Sequence, residues 1–152
     1  MTDITNTETL VDGLCFGEGP RWHLGRLYFS DMHGNTVYAV DTSGNLEAIV
    51  KLDDDEPSGL GWLPDGRMLI VSMRNRKLLV LDSGVLAEFA DLSGIATYHC
   101  NDMVTDLKGR SYVGNFGYDL HNNAEFQKAA LILVHPDGTT ELAADGLSFP
   151  NG

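Results

Sequence analysis

The chain has 152 residues, with 22 acidic side chains against 10 basic ones, which gives a net charge of −12. This excess of negative charge argues against nucleic-acid and anionic-membrane partners, because both select for clustered cations. With 43% hydrophobic and 21% charged residues, the composition is that of an ordinary folded domain rather than a disordered chain.

The sequence also gives an expectation for the cellular compartment. No run approaches the length of about 18 consecutive apolar residues needed to cross a membrane, and the first residues lack the basic and apolar parts of a signal peptide. Cys15 and Cys100 form no Cys-x-x-Cys pattern, which favours reduced thiols used as small buried side chains. We therefore expect a cytoplasmic protein.

A turn-and-strand phrase occurs three times along the chain. Its Gly-Arg pairs begin at residues 25, 66 and 109, at spacings of 41 and 43 residues, and a second glycine turn follows at residues 44, 84 and 138. Between the turns lie apolar runs such as Leu69-Ile70-Val71, which are too short for helices and are bounded by residues that favour tight hairpins. Four short strands per repeat at this period predict an all-β fold, the blades of a β-propeller.

We predict one partial propeller domain over residues 1–152, with blades at 14–56, 57–98 and 99–148 and the start of a fourth at 149–152. Propellers close on about four to eight blades, so three blades do not complete a ring. We expect that further blades lie beyond Gly152, or that a second copy of the chain closes the ring; the first expectation is the favoured one.

The third repeat is longer than the others. Its two glycine turns are 29 residues apart, against 19 and 18 in the first two repeats. The additional residues fall within 117–128, a polar stretch with no strand pattern. A connection of this length is either a functional loop at the channel mouth or a tolerated surface loop.

Polar residues recur at one position of the repeats. Glu18 and Ser58 each precede a tryptophan by four residues, and Asn101 and Asn151 occupy the equivalent positions of the third repeat and of the fourth. The first strand of a propeller blade lines the central channel, so these side chains should converge on one axis. Carboxylate and carboxamide oxygens are ligands that Ca²⁺ and Mg²⁺ prefer. The alternative interpretation is a solvated Glu and turn-forming Asn residues.

Several phrases occur together and in order, from about Leu14 to the last residue: Glu18-Gly19-Pro20-Arg21-Trp22, Pro57-Ser58-Gly59, Asn101-Asp102 and Phe149-Pro150-Asn151-Gly152. In combination they resemble the family of senescence marker protein (regucalcin), gluconolactonase and luciferin-regenerating enzyme. The resemblance implies a six-bladed propeller, of which this chain is the N-terminal half. It also implies one divalent cation in the channel, foremost Ca²⁺ with Zn²⁺, Mn²⁺ or Mg²⁺ as alternatives, and hydrolysis of a sugar lactone or related cyclic ester.

The resemblance also assigns residues. It implies Glu18 and Asn151 as metal ligands and Asn101 as a contact to the substrate. The family's general base, an Asp, belongs to a blade beyond Gly152, so no catalytic residue is expected within the chain. His99 stands where animal members commonly carry a substrate-binding Arg, and we take it as a second substrate contact.

Two alternatives remain open. One is a non-catalytic propeller that binds a partner on its loop face, because a fold does not fix a function. The other concerns the acidic run Asp53-Asp54-Asp55-Glu56, which could bind calcium but lacks EF-hand spacing. We interpret that run as a solvated loop.

Overall fold

The computed structural model describes residues 7–152. Within this range the chain forms twelve strands in three four-stranded antiparallel sheets. The first sheet consists of β1 (Gly17–His23), β2 (Arg26–Asp31), β3 (Thr36–Val40) and β4 (Leu46–Lys51). The second consists of β5 (Pro57–Trp62), β6 (Met68–Ser72), β7 (Lys77–Asp82) and β8 (Val85–Asp91). The third consists of β9 (Cys100–Thr105), β10 (Ser111–Asn115), β11 (Ala129–Val134) and β12 (Thr140–Leu147).

Each sheet is a meander in which strands consecutive in sequence pair side by side. Strand β5 contacts both β1 and β9, so these three strands lie innermost, and β4, β8 and β12 form the outer edges. The prediction of an all-β fold built from four-stranded propeller blades is confirmed. Residues 7–152 include no helix of the length and apolarity that a membrane crossing requires.

The blades are held together by apolar side chains between neighbouring sheets. The larger core lies between the second and third blades and includes Leu69, Leu78, Met103 and Ile132, all almost inaccessible to solvent. A smaller cluster around Leu60 joins the first blade to the second. Because a single four-stranded sheet has two faces to cover, each blade depends on its neighbours for burial of apolar surface.

The inner strands approach one another closely where the sequence has glycine. A side chain at Gly59 would collide with the backbone amide of Met103 and with Asp102, and one at Gly61 would collide with Thr105. The absence of a Cβ at these two positions therefore lets β5 pack directly against β9. This packing sets the position of the residues at the start of β9.

The two ends of the blades differ in their connections. The lower end carries the glycine turns. Backbone hydrogen bonds between residues three positions apart recur there, such as Gly66 N to Leu63 O (2.9 Å) and Gly109 N to Asp106 O (2.9 Å). The upper end carries the connections at residues 32–35, 73–76 and 116–128. The first two are four-residue turns, whereas the third contains a turn at 120–123 and no strand. The inner strands β1, β5 and β9 all begin at the upper end.

Candidate functional site

The structure places three of the recurring polar residues at one level of the blades. Glu18, Ser58 and Asn101 are each the second residue of an innermost strand, on β1, β5 and β9. Asn151 lies four residues after the end of β12, in an exposed segment. The upper end of the molecule therefore carries all four.

Burial distinguishes these residues from one another. Ser58 is completely buried and Asn101 is 6% exposed, whereas Glu18 is only partly buried. Ser58 Oγ and Asn101 Nδ2 have no hydrogen-bond partner within residues 7–152. Buried polar atoms in native proteins almost always have a partner, so these two groups call for one that the three blades do not supply, such as an ordered water or a bound molecule.

Glu18 and Asn151 lie at two separate cavities. Glu18 lines an open cavity of about 320 Å³ together with Leu14, Leu27 and Phe29 on the outward face of the first blade. Asn151 lines another, of about 290 Å³, with Asp102 on the outward face of the third blade. Neither cavity contains both residues, so the three blades alone do not bring the two predicted ligands together in one pocket.

The donor chemistry suits a hard divalent cation in type but falls short in number. Glu18 offers a carboxylate whose Oε2 accepts a long hydrogen bond from Gly19 N (3.3 Å), and Asn151 offers a carboxamide oxygen. Ca²⁺ takes about six to eight oxygen ligands. In the part of the chain that the structure describes, no three His, Cys, Asp or Glu side chains come together in a metal-binding arrangement. A complete shell around such a cation would therefore need further donors from outside these blades.

An ion pair that the sequence analysis did not predict spans the inner strands. Arg21 on β1 donates from Nη2 to Asp102 Oδ1 (2.7 Å) and to the carbonyl oxygen of Met103 (2.5 Å) on β9. Asp102 is 8% exposed, and its Oδ1 also accepts from the Met103 amide. The pair thus ties the first blade to the third across β5. Both residues lie in phrases that carry the family resemblance, but no sequence pattern pairs them.

His99 belongs to a group of aromatic rings at the upper end of the third blade. Its ring centroid lies 6.0 Å from that of Phe116 and 6.0 Å from that of His121, and Phe116 and His121 are 6.1 Å apart. Burial lowers the pKa of His99, with a smaller effect in the same direction from His121. His99 is therefore neutral near pH 7 and cannot replace an arginine as a permanent cation.

The long connection is anchored beside His99. Thr97 Oγ1 donates to the carbonyl oxygen of Gly117 (2.9 Å). A hydrogen bond to Asp119 raises the pKa of the Tyr98 hydroxyl. The Asp119 carboxylate also accepts from Asn122 Nδ2 (2.7 Å), which closes the turn at 120–123. These contacts hold the first half of the connection against the start of β9, and they bring His121 to His99.

The interpretation of the acidic run as a solvated loop is wrong for one of its members. Asp55 is 2% exposed. Its carboxylate accepts hydrogen bonds from the Ser72 hydroxyl and from the backbone amides of Arg74 (3.0 Å) and Asn75 (3.0 Å). Burial acts to raise the pKa of Asp55, but these hydrogen bonds outweigh it, so that the pKa is lowered. Asp55 therefore fastens the start of β5 to the end of β6.

The expectation of two buried thiols is half right. Cys100 is completely buried, and burial raises its pKa to about 12. Cys15, in contrast, is exposed; it lies before β1, and its backbone amide donates to Asp31 at the end of β2 (3.0 Å). Neither cysteine is in a disulfide.

The fold is a partial propeller. Its three inner strands place a carboxylate, a hydroxyl and a carboxamide at the same end. Residues 16–152 match the model of the SMP-30/gluconolactonase/LRE-like region, and the chain belongs to that family. No curated protein sequence matches the chain.

Solved structures show the same fold at low identity. A gluconolactonase from Xanthomonas campestris matches with a TM-score of 0.73 at 19% identity, over 90% of this chain and 50% of that one. A calcium-binding regucalcin from Agrobacterium tumefaciens matches with a TM-score of 0.70 at 21% identity, over 90% and 46%. A nidogen/laminin complex matches with a TM-score of 0.73 at 16% identity, over 90% and 51%. The chain thus spans about half the length of the structures it resembles.

Proposed function

We propose that the chain forms the N-terminal half of a lactonase that hydrolyses a sugar lactone or a related cyclic ester with the help of one divalent cation. Its membership of a family that includes gluconolactonases supports the reaction class. The observation that carries the proposal is the Asn101 amide at the level of Glu18, because its buried Nδ2 has no hydrogen-bond partner within residues 7–152. A lactone oxygen is an acceptor of the right kind for that N–H.

In this proposal Glu18 and Asn151 hold the cation through hard oxygen atoms, and Ca²⁺ is the ion we favour over Zn²⁺, Mn²⁺ and Mg²⁺. When bound, such a cation polarises an ester carbonyl and stabilises the charge that develops on its oxygen. Asn101 orients the lactone by donating from Nδ2, and His99 contacts the substrate at the channel mouth. The general base is not among the residues of this chain.

The first and third blades each have exposed apolar side chains, which supports our proposal that further blades or a second copy of the chain complete the propeller. Val104 and Leu142 on the third blade are 57% and 55% exposed, and Leu10 and Phe16 beside the first blade are each 47% exposed. Apolar surface of this kind is covered in a closed propeller. Light scattering on the purified chain distinguishes the two arrangements, because a closed pair has twice the chain mass of 16.6 kDa. We further propose a cytoplasmic location.

The proposal is tested by lactone hydrolysis. The chain and a form extended to its natural stop codon are assayed on aldonolactones, first with EDTA and then with Ca²⁺, Mn²⁺, Zn²⁺ or Mg²⁺ added. We expect metal-restored turnover in the extended form that Glu18→Gln and Asn151→Ala abolish. The matched control is Glu88→Gln, which removes an exposed carboxylate on the outer strand β8.

A different result favours the alternative class. If no cation restores turnover in either form, and none raises the melting temperature, the metal site is refuted. The chain is then better described as a binding scaffold. Its likeness to the nidogen/laminin structure is as close in fold as its likeness to the gluconolactonase, so the fold alone does not choose between the two.

A further inference from the structure

We propose that His99, Phe116 and His121 form a recognition surface for an uncharged lactone that carries a flat apolar or aromatic ring. We call these three side chains the ring triad. This inference rests on the proposed lactone hydrolysis and specifies the substrate class of the same site.

The geometry of the ring triad is the first argument. The three centroids form a nearly equilateral triangle with sides of 6.0, 6.0 and 6.1 Å, and the rings are tilted from one another by 52°, 44° and 49°. Phe116 is backed by Phe149 at 4.6 Å, and His99 is backed by Tyr98 at 4.1 Å. Tilted aromatic rings that are already fixed by neighbours can pack against a planar ligand at little conformational cost.

Accessibility is the second argument. Phe116 is 7% exposed and belongs to the apolar core between the blades, so it forms the base of the triad. His99 is half-buried and His121 is exposed, so the two imidazoles present the accessible faces. The triad is thus a surface with an apolar base and two imidazoles at its rim.

Position links the triad to the predicted substrate contact. His99 precedes Asn101 by two residues, and Phe149 precedes Asn151 by two. The backbone joins two members directly, since Phe116 N donates to the carbonyl oxygen of His99 (2.9 Å). A lactone whose ring oxygen reaches Asn101 would therefore have its substituent at the upper end, beside the triad.

Charge selects the class of ligand. His99 is neutral near pH 7, because its burial lowers its pKa. Arg74, whose charge reaches His99, is already paired with Asp55 at 3.2 Å. Lys128 at the end of the long connection donates to Ser148 (2.6 Å) and lies 5.6 Å from the Phe126 ring. Since these cations have other partners, the surface favours an uncharged substituent over a carboxylate or phosphate.

The long connection supplies the third ring. The corresponding connections of the first and second blades have only four residues, and within residues 7–152 the rings near His99 come from Tyr98, Phe116 and His121 rather than from those two connections. His121 lies at the turn that Asp119 closes, and Tyr98 and Thr97 hold that turn beside His99. The insertion therefore has a physical role that a tolerated surface loop would not need.

The test compares two lactones in the full natural protein that contains this sequence. Dihydrocoumarin carries a flat aromatic ring, and gluconolactone carries only hydroxyl groups. We expect a kcat/KM ratio that favours dihydrocoumarin, and His121→Ala should lower that ratio about three- to tenfold, the effect of losing one aromatic contact. The matched control is Glu125→Gln, an exposed position of the same connection, which should leave the ratio unchanged.

A binding measurement separates this inference from the proposed function. The lactam analogue of dihydrocoumarin cannot be hydrolysed readily, and its affinity is measured by calorimetry for the natural protein and for His121→Ala. Hydrolysis of both lactones with a ratio that His121→Ala does not change overturns the inference and leaves the lactonase intact. If no lactone is hydrolysed, lactam binding that weakens in His121→Ala supports the ring triad alone, and absence of that binding refutes it.

Discussion

The two ends of the blades show how one repeated sequence serves two purposes. At the lower end the turns repeat nearly unchanged: Asp65 accepts from Arg67 N (3.1 Å), Asp106 accepts from Lys108 N (2.8 Å), and Asp137 accepts from Thr139 N (3.0 Å). At the upper end the connections differ between blades, and this end of the molecule carries the buried carboxylate of Asp55, the Asn101 amide and the ring triad. Regularity at the lower end builds the fold, and divergence at the upper end builds the candidate site.

Burial explains why the two ends differ in energetic importance. The lower-end carboxylates are solvated, so their hydrogen bonds compete with water and each contributes little. Asp55 at the upper end is shielded from water and fastens two strands. The same residue type therefore has a local role in one place and a structural role in the other.

The largest contrast is expected between two aspartates. Asp55→Ala leaves the amides of Arg74 and Asn75 without their acceptor, and we expect a loss of about 3 kcal/mol in the free energy of unfolding. Asp65→Ala at a lower-end turn should have a much smaller effect, because Asp65 is half exposed. Urea denaturation of both variants measures the difference, and equal losses would contradict the comparison.

The pH dependence of the Asp55 contribution follows from its lowered pKa. Its stabilisation is present above the unfolded value of 3.8 and is lost as the pH falls through the lower folded value. Denaturation curves below pH 4 should therefore differ less between the natural chain and Asp55→Ala than curves at pH 7.

A smaller effect is expected where the inner strands meet. Gly59→Ala places a methyl group against the Met103 backbone, and we expect a destabilisation of about 2 kcal/mol, because backbone cannot move as easily as a side chain. Gly94→Ala is the control, since a Cβ there meets nothing within 4 Å. If thermal melting finds the two variants alike, the close packing of β5 on β9 is not what holds the start of β9.

The smallest effect concerns one histidine at each end. Burial lowers the pKa of His99 at the upper end and of His23 at the lower end below 6.5. Because the unfolded chain binds more protons between those values and 6.5, stability should fall as the pH drops below 6.5. NMR titration should show both pKa values lowered.

His121→Ala then distinguishes the two histidines. It should raise the pKa of His99, because it removes a neighbouring imidazole that lowers this pKa. The pKa of His23 should not change, because His23 stacks on Trp62 at the other end of the blades. An unchanged pKa at His99 would show that the contact between His99 and His121 is absent in solution.

The sequence was sufficient for the blades because their signals are local. The Gly-Arg pairs and the short apolar runs such as Leu69-Ile70-Val71 define hairpins through turn conformation and β-propensity, which depend on neighbouring residues. The common level of Glu18, Ser58 and Asn101 also followed, since it depends on counting from equivalent turns. Their roles as ligand and substrate contact stay predictions.

Other features could not be read from the chain because they join distant residues. The ion pair of Arg21 with Asp102 spans 81 positions, and the contact of His99 with His121 requires a loop to fold back over its own blade. Asp55 was misinterpreted for the same reason, since a run of acids is normally solvated and only its tertiary partners made one of them buried.

The sequence by itself thus determined the repeat, the all-β fold, the number of blades and the register of the polar positions, because periodic hydrophobicity and turn residues act over a few positions at a time. The tertiary structure alone decided which of those polar groups are buried, which lack partners and which rings meet. Those properties arise only when separate blades pack and exclude water from the groups between them.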